Sequence, residues 1–343
     1  MTHDKHILLA HGGGGQLTGE LIARVILPAL GKGGAQNAAA LTDAASVALG
    51  DAGQAVFTTD SYVVQPLECP GADIGKLAVC GTINDLAVAG AQPVALSLAL
   101  VLEEGLEIAL LRRVLESAGA AAAAAGVAIV TGDTKVVERG AGAGMTVNTS
   151  GLGRRLPGAR LGFGQVQPGD AVILSGPLGE HALAVMCQRE GLGLRSDLRS
   201  DCAPLHGLTA ALLGELGADV HFMRDPTRGG LAATLCDIAA ATGCGIAIRE
   251  TAIPVHPAAA AAAELLGLDL LSAANEGKLV AVVAASAADR AVEILAANPL
   301  AARAARIGVV GEPSDYPLVE LTTRAGGDRI VQMPYGEDLP RIC

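Results

Sequence analysis

Apolar positions along the chain follow two rhythms. Residues 55–59 (AVFTT) form a short apolar run that predicts a buried strand ending at Asp60. Residues 74–89 carry apolar side chains at helical spacing and stop at Gly90, a suitable residue just past a helix end. Residues 94–102 predict a second strand, and 106–125 a long alanine-rich helix stopped by Gly126. A strand over 127–131 is expected to break at Gly132-Asp133, and 145–152 predicts another strand. Residues 151–169 are rich in Gly, Pro and Arg, which places a domain boundary there. The second half restarts with a strand over 171–174 and a glycine turn over 175–179. Helices are then expected from Glu180 and over 204–216, 229–242, 256–266 and 287–297, with strands over 245–248, 279–283 and 307–310. Residues 332–343 (QMPYGEDLPRIC) lack either rhythm and predict an extended tail.

Composition narrows the function. The 343 residues are 51% hydrophobic, enough for packed cores in about two domains. The net charge of −11 disfavours nucleic acid and anionic membranes as general partners, because both need basic surface. Aromatics are 2%, so platforms for stacking bases or caging quaternary amines are nearly excluded. No secretory signal and no membrane span is read from the apolar runs. The seven cysteines form no CxxC pair and no regular framework, which predicts reduced thiols in the cytoplasm and no zinc site. His3, His6 and His11 offer weak metal ligands, but a mobile polar N-terminus accounts for them better.

Five aspartates sit among small residues at expected strand or helix ends: Asp43, Asp60, Asp85, Asp133 and Asp225. Each alone reads equally as a cap or turn residue. Together they suit Mg²⁺, which takes a few carboxylates and fills its octahedron with phosphates and water. In Asp225-Pro-Thr-Arg-Gly-Gly, Asp225 reads as the N-cap and Pro226 as the first helical residue, with Arg228 at an anion-ready helix start. Gly12–Gly15 reads as a phosphate cradle or a flexible flap, but no GK[ST] follows, so it is not a Walker loop. No GxGxxG opens a βαβ unit either, which disfavours a nicotinamide enzyme. Lys135, closing TGDTK, suits a phosphate or a polarised carbonyl oxygen, and Glu276, in NEGK, suits general acid–base work; ordinary charged turns remain the alternative. Cys343 ends the chain, too late for a prenylation box. A thiol on an arm of about a dozen residues sweeps ~40 Å when extended and suits a carrier.

These motifs resemble one family. HGGGGQLTGEL, TDAA (42–45), FTTDSYVV (57–64), GTINDLAVAGAQP (81–93), TGDTKVV (131–137), MRDPTRGGLA (223–232), NEGK (275–278) and the terminal PRIC run in order from end to end. The chain is identified as a member of the HypE family of hydrogenase maturation proteins, within the PurM-like (aminoimidazole ribonucleotide synthetase) superfamily. PRIC is the part that separates this family from its relatives. One small departure is Gly13, where family members often have Ser.

The resemblance implies an α+β fold of two PurM-like domains, at 1–155 and 156–331, with a mobile tail over 332–343. The N-terminal domains are expected to pair in a homodimer around a shared β-barrel. ATP and Mg²⁺ are implied between the domains or near that interface. By motif match, Asp43, Asp85 and Asp225 are the expected metal ligands. Asp60, Asn84, Gly132, Asp133, Thr134 and Arg228 are the expected nucleotide contacts. Cys343, Lys135 and Glu276 are the expected catalytic groups. A carbamoyltransferase, HypF, would load Cys343 with a carbamoyl group. ATP-dependent dehydration would turn that group into a thiocyanate, and the nitrile would pass to iron on a HypC–HypD scaffold. Another enzyme of the superfamily is the alternative, but no Cys precedes the N-terminal glycine loop, which argues against selenophosphate synthesis, and a small-molecule kinase gives Cys343 no role. A nucleotide-gated adaptor is the non-catalytic alternative.

Overall fold

The computed structural model describes residues 15–26, 44–48, 54–191 and 198–335. The first domain begins with α1 (Gln16–Leu21), followed by β1 (Ala45–Ala48), β2 (Gln54–Tyr62) and the small hairpin β3 (Glu68–Cys69) and β4 (Ala72–Asp73). Then come α2 (Ile74–Val88), β5 (Ala91–Glu103), α3 (Ile108–Ala124), β6 (Ala128–Val137) and β7 (Met145–Arg155). The larger sheet runs in the order β1-β2-β7-β5-β6. Asp73 caps α2, accepting from the backbone N–H groups of Gly75 and Lys76 at 2.8 and 3.0 Å.

The second domain comprises β8 (Ala171–Leu174), α4 (Glu180–Arg189), α5 (His206–Leu216), β9 (Val220–Arg224) and α6 (Gly230–Thr242). It continues with β10 (Cys244–Arg249), α7 (Pro257–Leu266), β11 (Val280–Val283), α8 (Ala288–Ala296), β12 (Ala305–Pro313), β13 (Val319–Thr322) and β14 (Asp328–Val331). Its sheet runs β14-β13-β10-β12-β8-β11-β9. The central strands β8 and β11 are buried at every position and read as unbroken apolar runs (AVIL, VAVV), as strands covered on both faces do. One face packs on Leu231, Leu235 and Ile238 of α6, the other on Leu208 and Leu212 of α5 and Ile294 of α8.

An apolar core joins the domains. Tyr62, Ile74, Leu77 and Cys80 of the first pack with Ala182, Val185, Cys202 and Ala273 of the second. Two sequence expectations change here. β6 does not break at Gly132-Asp133 but continues to Val137. Gly132 is there because β5 lies so close that a Cβ would collide with the Leu98 carbonyl. Residues 332–335 carry no helix or strand, and this stretch is seated: Pro334 is buried and its carbonyl accepts from the Gln16 N–H at 2.9 Å. Residues 336–343, including Cys343, lie outside the described residues, as do Asp43 and residues 1–14. Among the described residues, no helix is long and apolar enough to cross a membrane.

Candidate functional site between the two domains

The first sheet has a covered and an uncovered face. On β2, Val56, Thr58 and Tyr62 turn inward toward α2, while Phe57 and Thr59 stay exposed. The C-terminal end of β2 therefore delivers Asp60 and Tyr62 to the domain junction. α2 adds Gly81 and Asp85, whose carboxylate accepts from the Thr58 hydroxyl at 2.7 Å. The second domain brings Asp225, Thr227 and Arg228 on the loop before α6, and Glu276 on the loop before β11. These residues line one narrow cleft with about 30 Å³ of interior space. Arg228 reaches across to Asp60 at 3.7 Å.

Asp225 does not cap α6, contrary to the sequence expectation. The helix begins only at Gly230, after Gly229 in a left-handed conformation (φ 77°). Gly230 also has positive φ, and a Cβ there would strike the carbonyls of Leu271 and Ala273. The paired glycines thus make a turn that turns Asp225 and Arg228 toward the cleft. Asn275 holds this loop to the next one. Its amide donates to the Pro226 carbonyl at 3.2 Å, and its oxygen accepts from the Gly179 N–H at 2.8 Å.

Glu276 is clamped by its own backbone. The Asp201 carboxylate accepts from the N–H groups of Glu276 and Gly277 at 3.2 and 3.3 Å. The Glu276 carbonyl accepts from the Asn84 amide at 3.2 Å. Beneath it, Lys278 joins Asp201 at 2.9 Å and Glu180 at 3.0 Å, with the Lys278 and Asp201 side chains only 5% and 2% exposed. Burial pushes the Lys278 pKa down, but Asp201 and Glu180 outweigh it and the net value is raised. Burial likewise pushes Asp201 up, and Lys278 and His181 more than reverse it. Glu276 has no such partner. Burial first, then the charges of Asp225, Asp201 and Asp60, raise its pKa well above the ordinary carboxyl value against the pull of Arg228.

The structure brings Asp60, Asp85, Asp225, Arg228 and Glu276 together. Asn84 stands apart from the cleft. It is fully buried, both amide hydrogens go to carbonyls of the second domain (Ala203 and Glu276), and its oxygen accepts from the Leu205 N–H. The geometry makes it a strut between the domains and leaves it no surface for a nucleotide. Gly132, Asp133, Thr134 and Lys135 do not line the cleft either. They sit on β6, every residue of which is exposed or half-exposed. In the sheet Asp133 is in register with Ala99, Asn148 and Ser61, and Lys135 with Val101 and Thr146. Those rows face the uncovered side with Phe57 and Leu152. From β2 to β6 is three strand spacings, about 14 Å. Lys135 pairs with Asp133 at 3.0 Å on this open surface. Tyr62, Asp201 and Lys278 are the site residues that motif reading missed.

Among the described residues, no three His, Cys, Asp or Glu side chains converge closely enough to hold a metal unaided. The donors present are hard carboxylate oxygens spaced across a cleft. That set fits Mg²⁺, which keeps its waters and binds through one or two carboxylates and substrate phosphates.

A sheet covered on one face and a sheet covered on both, joined over an acidic inter-domain cleft, belong here to an AIR synthase related protein. The N-terminal and C-terminal domain families of that class match residues 41–155 and 167–319. The chain is 48% identical over 340 residues to the carbamoyl dehydratase HypE of Rhizobium leguminosarum bv. viciae, covering 98% of this chain and 94% of that relative. It is similar to a HypE–HypF complex structure (TM-score 0.85, 42% identity, 92% and 99% of the two chains). It is also similar to a HypE structure in complex with ATP (TM-score 0.82, 42% identity, 98% and 100%). The chain belongs to the HypE family.

Proposed function

We propose that this chain uses ATP to dehydrate a carbamoyl group carried on its own Cys343, giving a thiocyanate that supplies the cyanide ligand of the [NiFe]-hydrogenase iron centre. The relatives named carbamoyl dehydratase support the reaction. One observation of this chain carries the reading: the tail leaves the body beside the cleft. Pro334 lies against Gly229, next to Arg228, where a Cβ on the glycine would come within 3.7 Å of the proline ring. From Tyr335, eight more residues end at Cys343. Extended, they reach about 26–29 Å, ample for the thiol to enter the cleft and leave it again.

The residues divide the chemistry between them. An amide oxygen is a poor leaving group, and moving the γ-phosphoryl group of ATP onto it makes a good one. Arg228, at the exposed end of the cleft, meets the phosphates. Asp85 and Asp225 would hold Mg²⁺, joined by Asp43, and the ion when bound neutralises phosphate charge. Asp60 orients Arg228. Glu276, buried in the cleft, takes the two protons of the carbamoyl nitrogen in turn, one as the oxygen is phosphorylated and, after passing that one to solvent, the other as the carbon–oxygen bond breaks and phosphate leaves. Its raised pKa makes the carboxylate form a stronger base toward that nitrogen than an ordinary glutamate.

The second copy completes the site in this account. Phe57, Val101 and Leu152 are 40–45% exposed on the uncovered face of the first sheet. Such a patch marks an interface. We assign it to a homodimer that lays Gly132, Asp133, Thr134 and Lys135 of one copy over the cleft of the other. HypF loads Cys343, and a HypC–HypD complex receives the nitrile. The six described cysteines form no disulfide, which suits a reducing cytoplasm.

Intact mass spectrometry after incubation with HypF, its carbamoyl donor and ATP tests the reading. A carbamoyl adduct on Cys343 that then loses one water is expected, with neither mass in Cys343→Ala. Turnover that survives Cys343→Ala would remove the carrier arm.

A further inference from the structure

The Tyr62 phenol is buried at 3% exposure and lines the cleft beside Glu276, Asp85 and Gly81. Its oxygen has no hydrogen-bond partner among the described residues. A buried hydroxyl left unpaired is costly, and natural cores avoid it unless a ligand completes it. The fold makes room for it deliberately. A Cβ at Gly81 would collide with the phenol oxygen, so the glycine of GTIND is the seat on which the hydroxyl rests. The ring itself packs in the inter-domain core with Val64, Ala78 and Val147, so the hydroxyl is fixed rather than swinging.

We propose that Tyr62 is a substrate-contacting residue whose hydroxyl donates a hydrogen bond to the oxygen of the carbamoyl group presented by Cys343. This rests on the dehydratase reading above. Asp60, Asp85, Arg228 and Glu276 line the cleft with the phenol, and the Arg228 side chain is 48% exposed. The interior space of about 30 Å³ holds roughly two water-sized groups, the size of a carboxamide oxygen and nitrogen. The phenol keeps its proton, because burial first and then the charges of Asp60, Asp85 and Glu276 raise its pKa well above the usual value. The Asp60 carboxylate lies near enough to raise that value further as a weak acceptor, without reaching full hydrogen-bonding geometry. As the carbon–oxygen bond breaks, negative charge grows on that oxygen, and a fixed donor stabilises it there. Tyr62 and Glu276 thus fix the carbamoyl plane from its oxygen and nitrogen sides.

Tyr62→Phe removes only the hydroxyl. Three measurements are made on the full chain: single-turnover water loss from the carbamoylated protein, ATP titration, and thermal unfolding. The expected result is about a hundredfold slower water loss, ATP affinity within about twofold, and a Tm that is unchanged or higher because an unpaired buried oxygen is gone. A wild-type rate overturns the proposal. So does a Tm lowered by several degrees, which would mean that the hydroxyl is bonded within the protein. If the wild-type protein shows no water loss on Cys343, the dehydratase reading falls and this inference with it. Loss of the proposal alone is recognised by water loss at equal rates in both proteins.

Discussion

The cleft and strand β6 hold the two halves of the motif set, and they differ in every physical respect. In the cleft, Glu276 is buried, its backbone is held on both sides by Asp201 and Asn84, and its pKa is moved far from ordinary by burial. On β6, Lys135 is paired only with Asp133, and both side chains are more than 60% exposed. The Asp133 pKa is lowered, chiefly by its hydrogen bond from Lys135, yet such a pair in open water contributes little to stability. A preorganised site needs fixed dipoles away from solvent. The cleft has them within one chain. β6 acquires them only when something covers the open face, and the same face exposes Phe57 and Leu152. In the proposed dimer, the contrast separates residues that act in their own subunit from residues that act in a neighbour's.

The largest effect is expected in the cleft. Glu276→Gln keeps the shape and removes the base, so water loss should slow by about 10²–10⁴-fold with the fold intact, read by single-turnover mass spectrometry. A variant as fast as wild type would move the base elsewhere. Next is the support beneath it. Lys278→Met leaves Asp201 and Glu180 without their cation in a buried setting and should cost about 3–5 kcal/mol of unfolding free energy, measured by denaturant titration.

The same pair sets a pH dependence. The Asp201 pKa lies below its ordinary 3.8, so its contribution is present above that value and is lost as pH falls through the lower folded value. The Lys278 pKa lies above its ordinary 10.5, so its contribution is full below that value and is lost as pH rises through the higher folded one. Stability from the pair should therefore stay level across the neutral range. Destabilisation beginning near pH 6 would contradict this pairing.

On β6 and its open face the expected effects turn from stability to assembly. Leu152→Asp, on the same open face, puts a charge there and should convert the proposed dimer to monomers at micromolar concentration, seen by sedimentation, with no change in secondary structure. Lys135→Ala should be the mildest to the fold, with no resolvable change in Tm, because its only described ion pair is exposed. Its effect should appear in the rate alone.

Much of this contrast was legible in the sequence, and the gaps have physical causes. The buried strands β8 and β11 and helix α2 were readable because their apolar rhythm and end residues agree with their burial. β6 was cut short because Gly132-Asp133 looks like punctuation, whereas the glycine answers a close approach by β5 that only the folded sheet creates. Asp225 was read as a helix cap because Pro226 follows it. The left-handed Gly229 and Gly230 delay the helix and give the aspartate to the cleft instead. The motifs named Glu276, Asp85 and Arg228 correctly as neighbours. They did not name Asp201, which lies 75 residues from Glu276 and carries no motif, nor Tyr62, whose role depends on an absent side chain at Gly81. Asn84 sits inside a motif, yet its position makes it a strut.

Subunit mixing tests the central claim, that the cleft of one copy is completed by β6 of another. Lys135→Ala and Glu276→Gln are each expected to be nearly inactive alone. Mixed and allowed to exchange subunits, they form heterodimers in which one of the two sites has both residues intact, so about a quarter of the wild-type sites should return. A mixture as inactive as its parents, with exchange confirmed by mass, would place Lys135 in the cleft of its own chain and contradict the account.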